Sequence, residues 1–284
     1  MRHAVDSEFG GLLTCIEDNG RLQSTVKYLW SQTRGLWTFS ALYRRIENRP
    51  EWLKVAHGLF DFCRRAGMDE NECCRFRTAR DGSPIDGPLS IVTDCFAIYG
   101  MVEYARATGN FEALDIAGRT YRSVDRRLRS GKPFGTAPYP LPVGMKAHRY
   151  SMQCSLMFHE LGSPLGLPDI LESAADHSRQ VMEHFVRPEH RALVEYVNLD
   201  GSFSDSPPGR TMVPDHGIES LWFQLQFNRE SGRKHTNGCI LEAMAWCIDR
   251  ARDEEFGGLL LGLDIFGRTP TFWQGLVEWV QMQN

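Results

Sequence analysis

The residues in this chain best suited to chemistry are a histidine and a glutamate one helical turn apart. They are His216 and Glu219, in the stretch 209–223 (Gly-Arg-Thr-Met-Val-Pro-Asp-His-Gly-Ile-Glu-Ser-Leu-Trp-Phe). The stretch reads as a loop running into a helix. Pro214 suits the first helical position, where its missing N–H costs nothing, and Asp215 complements the positive end of the helix. His216, Glu219 and Phe223 then share one face, while Ile218, Leu221, Trp222 and Leu225 supply an apolar stripe on the other. A helix N-terminus disfavours an imidazolium, so His216 is expected to be neutral near pH 7 and available as a general base. Glu219 is close enough to orient that ring or share its proton. A surface histidine and glutamate at a helix start is the competing reading, because the motif is short.

Such a pair needs a scaffold, and the sequence supplies one by repetition. Residues 6–21 read DSEFGGLLTCIEDNGR and residues 253–268 read DEEFGGLLLGLDIFGR, with nine of sixteen positions identical. Each resembles a short β-hairpin closed at a glycine turn, Asn19-Gly20 or Phe266-Gly267. Looser copies end at Gly82 (from Phe76) and at Gly201 (from Glu195), so the turn glycines are separated by 62, 119 and 66 residues. The middle gap is near twice the others, and the Gly/Pro-rich loop 131–144 is expected to replace one turn. Between these loops the apolar spacing predicts helices over 25–47, 50–66, 90–108, 111–130, 146–161, 167–186, 214–230 and 233–252, with a last one from Thr271. Two helices and one loop per repeat point to stacked helix pairs, and loops rich in tryptophan and glycine favour a closed toroid.

Composition narrows the classes of partner. The chain has 284 residues, 42% of them hydrophobic, which suffices for a large core in a single domain, 1–284. Thirty-two basic against 36 acidic residues leave a net charge of −4, which argues against nucleic acid. The eight cysteines are scattered, with Cys73 and Cys74 adjacent and no Cys-x-x-Cys, a pattern of reduced thiols in the cytoplasm rather than a disulfide or zinc framework. Neither a signal segment nor a run of membrane-spanning length is present in the sequence.

Three groups of residues, in order, resemble the N-acylglucosamine 2-epimerase family, which includes cellobiose 2-epimerases and aldose–ketose isomerases. They are Lys27-x-x-Trp30-x-Gln32-x-Arg34-x-x-Trp37, Asp94-Cys95-Phe96-x-x-Tyr99-x-x-x-Glu103, and Gly209-Arg210 followed by Pro214-x-His216-x-x-Glu219-x-x-Trp222-Phe223. The resemblance implies an all-α fold of the (α/α)6-barrel type, with short β-hairpins at the loop ends and no metal or redox cofactor. It implies proton abstraction at C2 of an open-chain sugar through a cis-enediol. Return of the proton to the opposite face of C2 epimerises, and return to C1 isomerises. On this resemblance His216 is a catalytic histidine and Glu219 its neighbouring acid. Arg34 contacts substrate oxygens and polarises the carbonyl, a role that suits a fixed fork of donors. Trp273 and Glu278 match the family's W-W-x-x-x-E helix, and Tyr99 lines the pocket. A helix-surface role for Arg34 and core roles for Tyr99 and Trp273 are the alternatives.

The chain departs from the family pattern at both ends. The family's second catalytic histidine stands in a C-terminal His-x-x-Arg segment, whereas the last histidine here is His235, and the family's opening helix is missing. Six helix pairs at this period need ~360 residues, so the barrel is expected to be incomplete, with apolar terminal faces that favour self-association, as in a homodimer. A sugar is the expected small-molecule partner. Two other classes stay open: a catalytically incomplete carbohydrate-binding relative, and a glycoside hydrolase or lyase, which needs two carboxylates flanking a glycosidic bond. His148 and Arg149, with Gln153 one turn on, lie where some relatives carry pocket residues. His177, His184 and His190 show no ligand spacing that favours a metal. The basic cluster 122–129 reads as a solvated helix face.

Overall fold

The computed structural model describes residues 4–131, 134–138, 141–233 and 236–268. Eight α-helices occur among them: α1 Leu29–Ala41, α2 Pro50–Phe62, α3 Ile91–Thr108, α4 Phe111–Arg129, α5 His148–Leu165, α6 Pro168–Gln180, α7 Pro214–Ser231 and α8 Asn237–Ala251. A π-helical turn prolongs α1 (Leu42–Ile46), α2 (Cys63–Gly67) and α6 (Val181–Phe185). Local chemistry sets most of the boundaries. Pro50, Pro168 and Pro214 open α2, α6 and α7. The Asn110 side chain caps α4 by accepting from the Ala113 N–H at 3.0 Å, and Gly109 and Gly232 close α3 and α7 in the left-handed conformation. The helix expected from Thr271 lies outside the described residues.

The strands are two or three residues long: β1 Cys15–Ile16, β2 Leu22–Ser24, β3 Lys27–Tyr28, β4 Arg77–Thr78, β5 Met145–Ala147, β6 Val186–Arg187, β7 Ala192–Leu193, β8 Tyr196–Asn198, β9 Thr211–Met212 and β10 Leu263–Asp264. Gly20, Gly82, Gly201 and Gly267 all have positive φ, between 73° and 98°. Each donates its N–H to the carbonyl three residues back at 2.8–3.0 Å, which is the conformation glycine adopts without strain. The turn at Gly20 joins β1 to β2 as a hairpin. At Gly82 an antiparallel Thr78–Pro84 bridge closes the turn, and the strands named beside the other three turns pair with the segment that leads into an earlier helix. Thus β4 pairs with β3 ahead of α1, β8 with β5 ahead of α5, and β10 with β9 ahead of α7. The Ser90–Thr136 bridge and the bond from Ile91 N–H to the Gly135 carbonyl take that place ahead of α3. Residues 135–136 of the loop therefore take the place of the missing turn, and 27–28, expected as helix, is drawn into strand pairing.

Packing divides the chain into two compact units, 1–137 with 163–165, and 138–162 with 166–284. In the first, α3 is buried from Ile91 to Ala105 on every face. It approaches α1 so closely that a Cβ on Gly100 would strike the Thr33 carbonyl. Lys27 is fully buried, its ammonium bonded to Asp6 at 2.9 Å and to the Gly10 and Arg80 carbonyls. Arg127 corrects the reading of 122–129 as a solvated face, since it turns inward to Asp94 at 2.8 Å. In the second unit the core gathers Phe185, Leu193, Val197, Leu221, Trp246 and Ile265. A buried polar ladder crosses it, Ser178 donating to Gln224 (2.6 Å) and Gln224 to Ser155 (3.0 Å), which satisfies side chains that could not otherwise leave water. No helix among the described residues is long and apolar enough to cross a membrane.

Candidate active site

Three segments of the second unit are stitched together by the backbone of Glu195. Its N–H donates to the Thr211 carbonyl at 2.8 Å, and its carbonyl accepts from the His148 N–H at 2.9 Å. Thr211 leads into α7 and His148 opens α5, so the first turns of both helices are held against the residue between β7 and β8. Their side chains meet there. The Glu195 carboxylate is 1% exposed, and its Oε2 lies 3.3 Å from His216 Nδ1 and 3.5 Å from His148 Nδ1. Its Oε1 lies 3.4 Å from the Arg149 guanidinium, which also donates to the Tyr196 and Tyr150 hydroxyls at 3.3 and 3.0 Å. His216 keeps 17% of its side chain exposed, while His148 keeps none.

The electrostatics follow from this crowding. Burial pushes the Glu195 carboxyl up, but His216 and His148 outweigh it and hold the group well below the usual carboxylate range. Burial pushes the His216 imidazole down, and Glu195 overcomes that, with weaker pulls from Asp215 and Glu219, so its proton affinity is raised. The direction is opposite to the lowering that the helix start alone would give. A helix terminus is worth about 0.3–1 kcal/mol, less than a charge-assisted contact to a carboxylate taken out of water. The orienting carboxylate is likewise Glu195, with Glu219 a secondary electrostatic neighbour. Nδ1 is the ring nitrogen of His216 that faces the Glu195 carboxylate.

Two of the other proposed site residues, Arg34 and Tyr99, belong to the first unit. Arg34 is exposed on α1, its guanidinium 4.9 Å from the Phe96 ring centroid on α3. One turn along both helices Trp37 stacks on Tyr99, centroids 4.9 Å apart and planes at 16°, which leaves Tyr99 7% exposed. Arg34 and Tyr99 thus occupy neighbouring rungs of one α1–α3 contact. Trp273 and Glu278 lie outside the described residues. Several residues of the recognised motifs are scaffold. Gln32 clamps both the N–H and the carbonyl of Leu12 (2.7 and 2.9 Å), Glu103 is bound by Arg44 and Arg45, and Arg210 pairs with Asp264 at 2.8 Å. Among the described residues no three His, Cys, Asp or Glu side chains are grouped to hold a metal ion. Sequence reasoning gave Glu195 no chemical role, and its one signal was its place in a loose copy of the turn repeat.

The sequence matches the family described as N-acylglucosamine 2-epimerase (GlcNAc 2-epimerase) over residues 11–284. The chain belongs to this family. It is 29% identical over 281 residues to the N-acylglucosamine 2-epimerase of Bos taurus, covering 95% of this chain and 66% of that one. The chain therefore spans a little under two thirds of the length of that relative. Among solved structures, the cellobiose 2-epimerase of Bacillus thermoamylovorans B4167 superposes with a TM-score of 0.79 at 18% identity, over 92% of this chain and 71% of that one. A D-mannose isomerase superposes with a TM-score of 0.77 at 16% identity, over 93% and 71% of the two chains. These likenesses show the fold, the all-α (α/α)6-barrel type expected from the sequence.

Proposed function

We propose that the chain is part of a sugar 2-epimerase or aldose–ketose isomerase in which His216 exchanges the proton on C2 of an open-chain sugar. The observation that carries the reading is the imidazole of His216 at the start of α7, partly exposed and fixed through Nδ1 to the buried Glu195 carboxylate. Family membership supplies the class of chemistry. On this reading Nε2 removes the C2 proton, the C–H electron pair forms the C1–C2 double bond, and the carbonyl oxygen takes up the charge. Glu195 stabilises the imidazolium that results, as a carboxylate behind a catalytic histidine does. Arg34 is assigned to the developing oxyanion, Glu219 to proton sharing at His216, and Tyr99, Trp273 and Glu278 to the substrate. Delivery of the proton to the opposite face of C2 gives the epimer, and delivery to C1 gives the ketose. Residues 1–284 act as one functional unit, placed in the cytoplasm on the strength of the scattered thiols.

The test is proton NMR of N-acetylmannosamine, mannose, glucose and cellobiose incubated in D₂O with the wild type and with His216→Ala. Deuterium at C2 with the wild type, falling by about 10²–10⁴-fold in the variant, is the expected outcome for loss of a positioned acid–base. Equal incorporation by both proteins removes His216 from the role. No incorporation with any of the sugars transfers the weight to a carbohydrate-binding relative without catalysis.

A further inference from the structure

Glu195 faces two imidazoles, and the role proposed above uses only that of His216. Both rings address the same oxygen, Oε2, at 3.3 Å for His216 Nδ1 and 3.5 Å for His148 Nδ1, while Oε1 faces Arg149. His148 is placed there by its own backbone, whose N–H bonds to the Glu195 carbonyl. Its ring lies edge-on to Phe185, with centroids 5.6 Å apart, and is sealed from solvent. Among the described residues neither ring nitrogen of His148 has a hydrogen-bond partner, and Nδ1 meets Oε2 only as a 3.5 Å polar contact. A buried ring nitrogen left unpaired is a standing penalty, and an apolar side chain against Phe185 would avoid it. Packing alone does not explain a histidine at this position.

We propose that His148 is a positioning residue for His216 that acts through Glu195, drawing on the same carboxylate oxygen and so limiting how firmly that oxygen holds the His216 ring. The role in catalysis rests on the function proposed above, whereas the effect on the His216 ring does not. Among the described residues, the charged and titratable groups that act on His216 or share Glu195 with it include Glu195 between β7 and β8, His148 and Arg149 at the start of α5, and Asp215 and Glu219 on α7 itself. Arg149 faces the other carboxylate oxygen, Oε1, so the two rings are left to share Oε2. Too firm a grip would keep His216 protonated and unable to accept the C2 proton. Too loose a grip would leave the ring unoriented and its imidazolium unstabilised. Sharing Oε2 between the two rings sets a point between these limits.

Substitutions on either side of that oxygen should therefore move His216 in opposite directions. In His148→Leu, Oε2 belongs to His216 alone, and the NMR titration midpoint of His216 in the full chain should rise by about one pH unit, a tenfold gain in proton affinity. In Glu195→Gln the midpoint should fall by at least as much. His148→Gln, which keeps an N–H donor at the position, should restore the wild-type midpoint, a rescue that a purely packing role would not give. The His216 resonance is assigned from the spectrum of His216→Gln. Should His148→Leu fail to fold, the comparison of His148→Gln with His148→Asn, whose shorter side chain falls short of Oε2, carries the same contrast. An unchanged midpoint in every folded His148 variant, or shifts of the same sign at His148 and Glu195, overturns the proposal. The pH profile of C2 exchange separates this inference from the function. Opposite NMR shifts without exchange in the wild type sink the epimerase reading and leave the coupling, and exchange whose pH midpoint ignores His148→Leu sinks the coupling and leaves the epimerase reading.

Discussion

Asp6 and Lys27 carry opposite charges 2.9 Å apart, and neither side chain reaches solvent. Their surroundings are unequal. Asp6 also accepts from Arg80 (3.0 and 3.1 Å) and from the N–H groups of Glu8 and Phe9. Burial alone would raise its carboxyl, yet these partners hold it well below the usual range. Burial lowers the proton affinity of Lys27, and Asp6 restores part of it. Both shifts are downward, but their consequences are opposite: the carboxylate gains by folding in its charged form and the ammonium loses. The pair as a whole contributes little, but removal of one partner is costly. Asp6→Asn strands the buried ammonium on two carbonyls and should cost about 3–5 kcal/mol. Lys27→Met leaves Asp6 with Arg80 and puts an apolar chain over Phe62, whose ring centroid lies 4.4 Å from the ammonium. That change should cost about 1–2 kcal/mol. The double variant should be more stable than Asp6→Asn alone. Urea unfolding at pH 7, read as the midpoint at constant slope, measures all three. The reasoning is refuted if Lys27→Met costs as much as Asp6→Asn, or if the double variant loses the sum of the two.

Stability should peak on the acid side of neutrality. The carboxyls of Asp6, Glu103 and Glu195 are all lowered in the folded chain, so their contribution is complete above the unfolded values near ~4 and is lost as the pH falls. His216 is raised, so its share is complete below about pH 6.5 and is lost as the pH rises through its folded value. Asp94, raised to about 6 by burial against the pull of Arg127, acts in the same sense as His216. A melting temperature that is flat from pH 3 to 8 contradicts this assignment, and Glu195→Gln should remove the His216 share of the decline above neutrality. At Glu103, buried between Arg44 and Arg45, substitution by alanine should cost about 3 kcal/mol. Arg44→Ala should cost under about 1 kcal/mol, because that arginine is partly exposed and Arg45 remains; equal losses in thermal melts would show that the cluster is not organised around the glutamate. Gly201→Ala drives a Cβ into the His184 ring, whereas Gly267→Ala meets no atom of the described residues within 4 Å, so the first should lower the melting temperature clearly more than the second. The positive φ that both share sets a common loss of about 1–2 kcal/mol.

Short-range rules carried a large part of the fold directly from the sequence. Proline at a first helical turn, glycine after a last one, an apolar stripe and a recurring glycine turn each act over a few residues. They suffice to predict α1 to α8 within a few positions, turns at the four recurring glycines, and a substitute turn in loop 131–144. The family was legible for the same reason, since its motifs are contiguous stretches at helix starts. Partnership was not legible. Lys27, Gln32 and Glu103 read as motif residues and prove to be scaffold, because their partners Asp6, Leu12 and the Arg44–Arg45 pair come from other parts of the chain. Arg127 reads as solvated and turns inward to Asp94. Glu219 was the natural neighbour of His216 by spacing, yet the carboxylate bonded to that ring is Glu195, and its approach reverses the charge preference that the helix start alone would set. Only backbone pairing of Glu195 with Thr211 and His148 brings those groups together. A pKa depends on which charges lie within a few ångströms after folding, and no local pattern in the sequence encodes that distance.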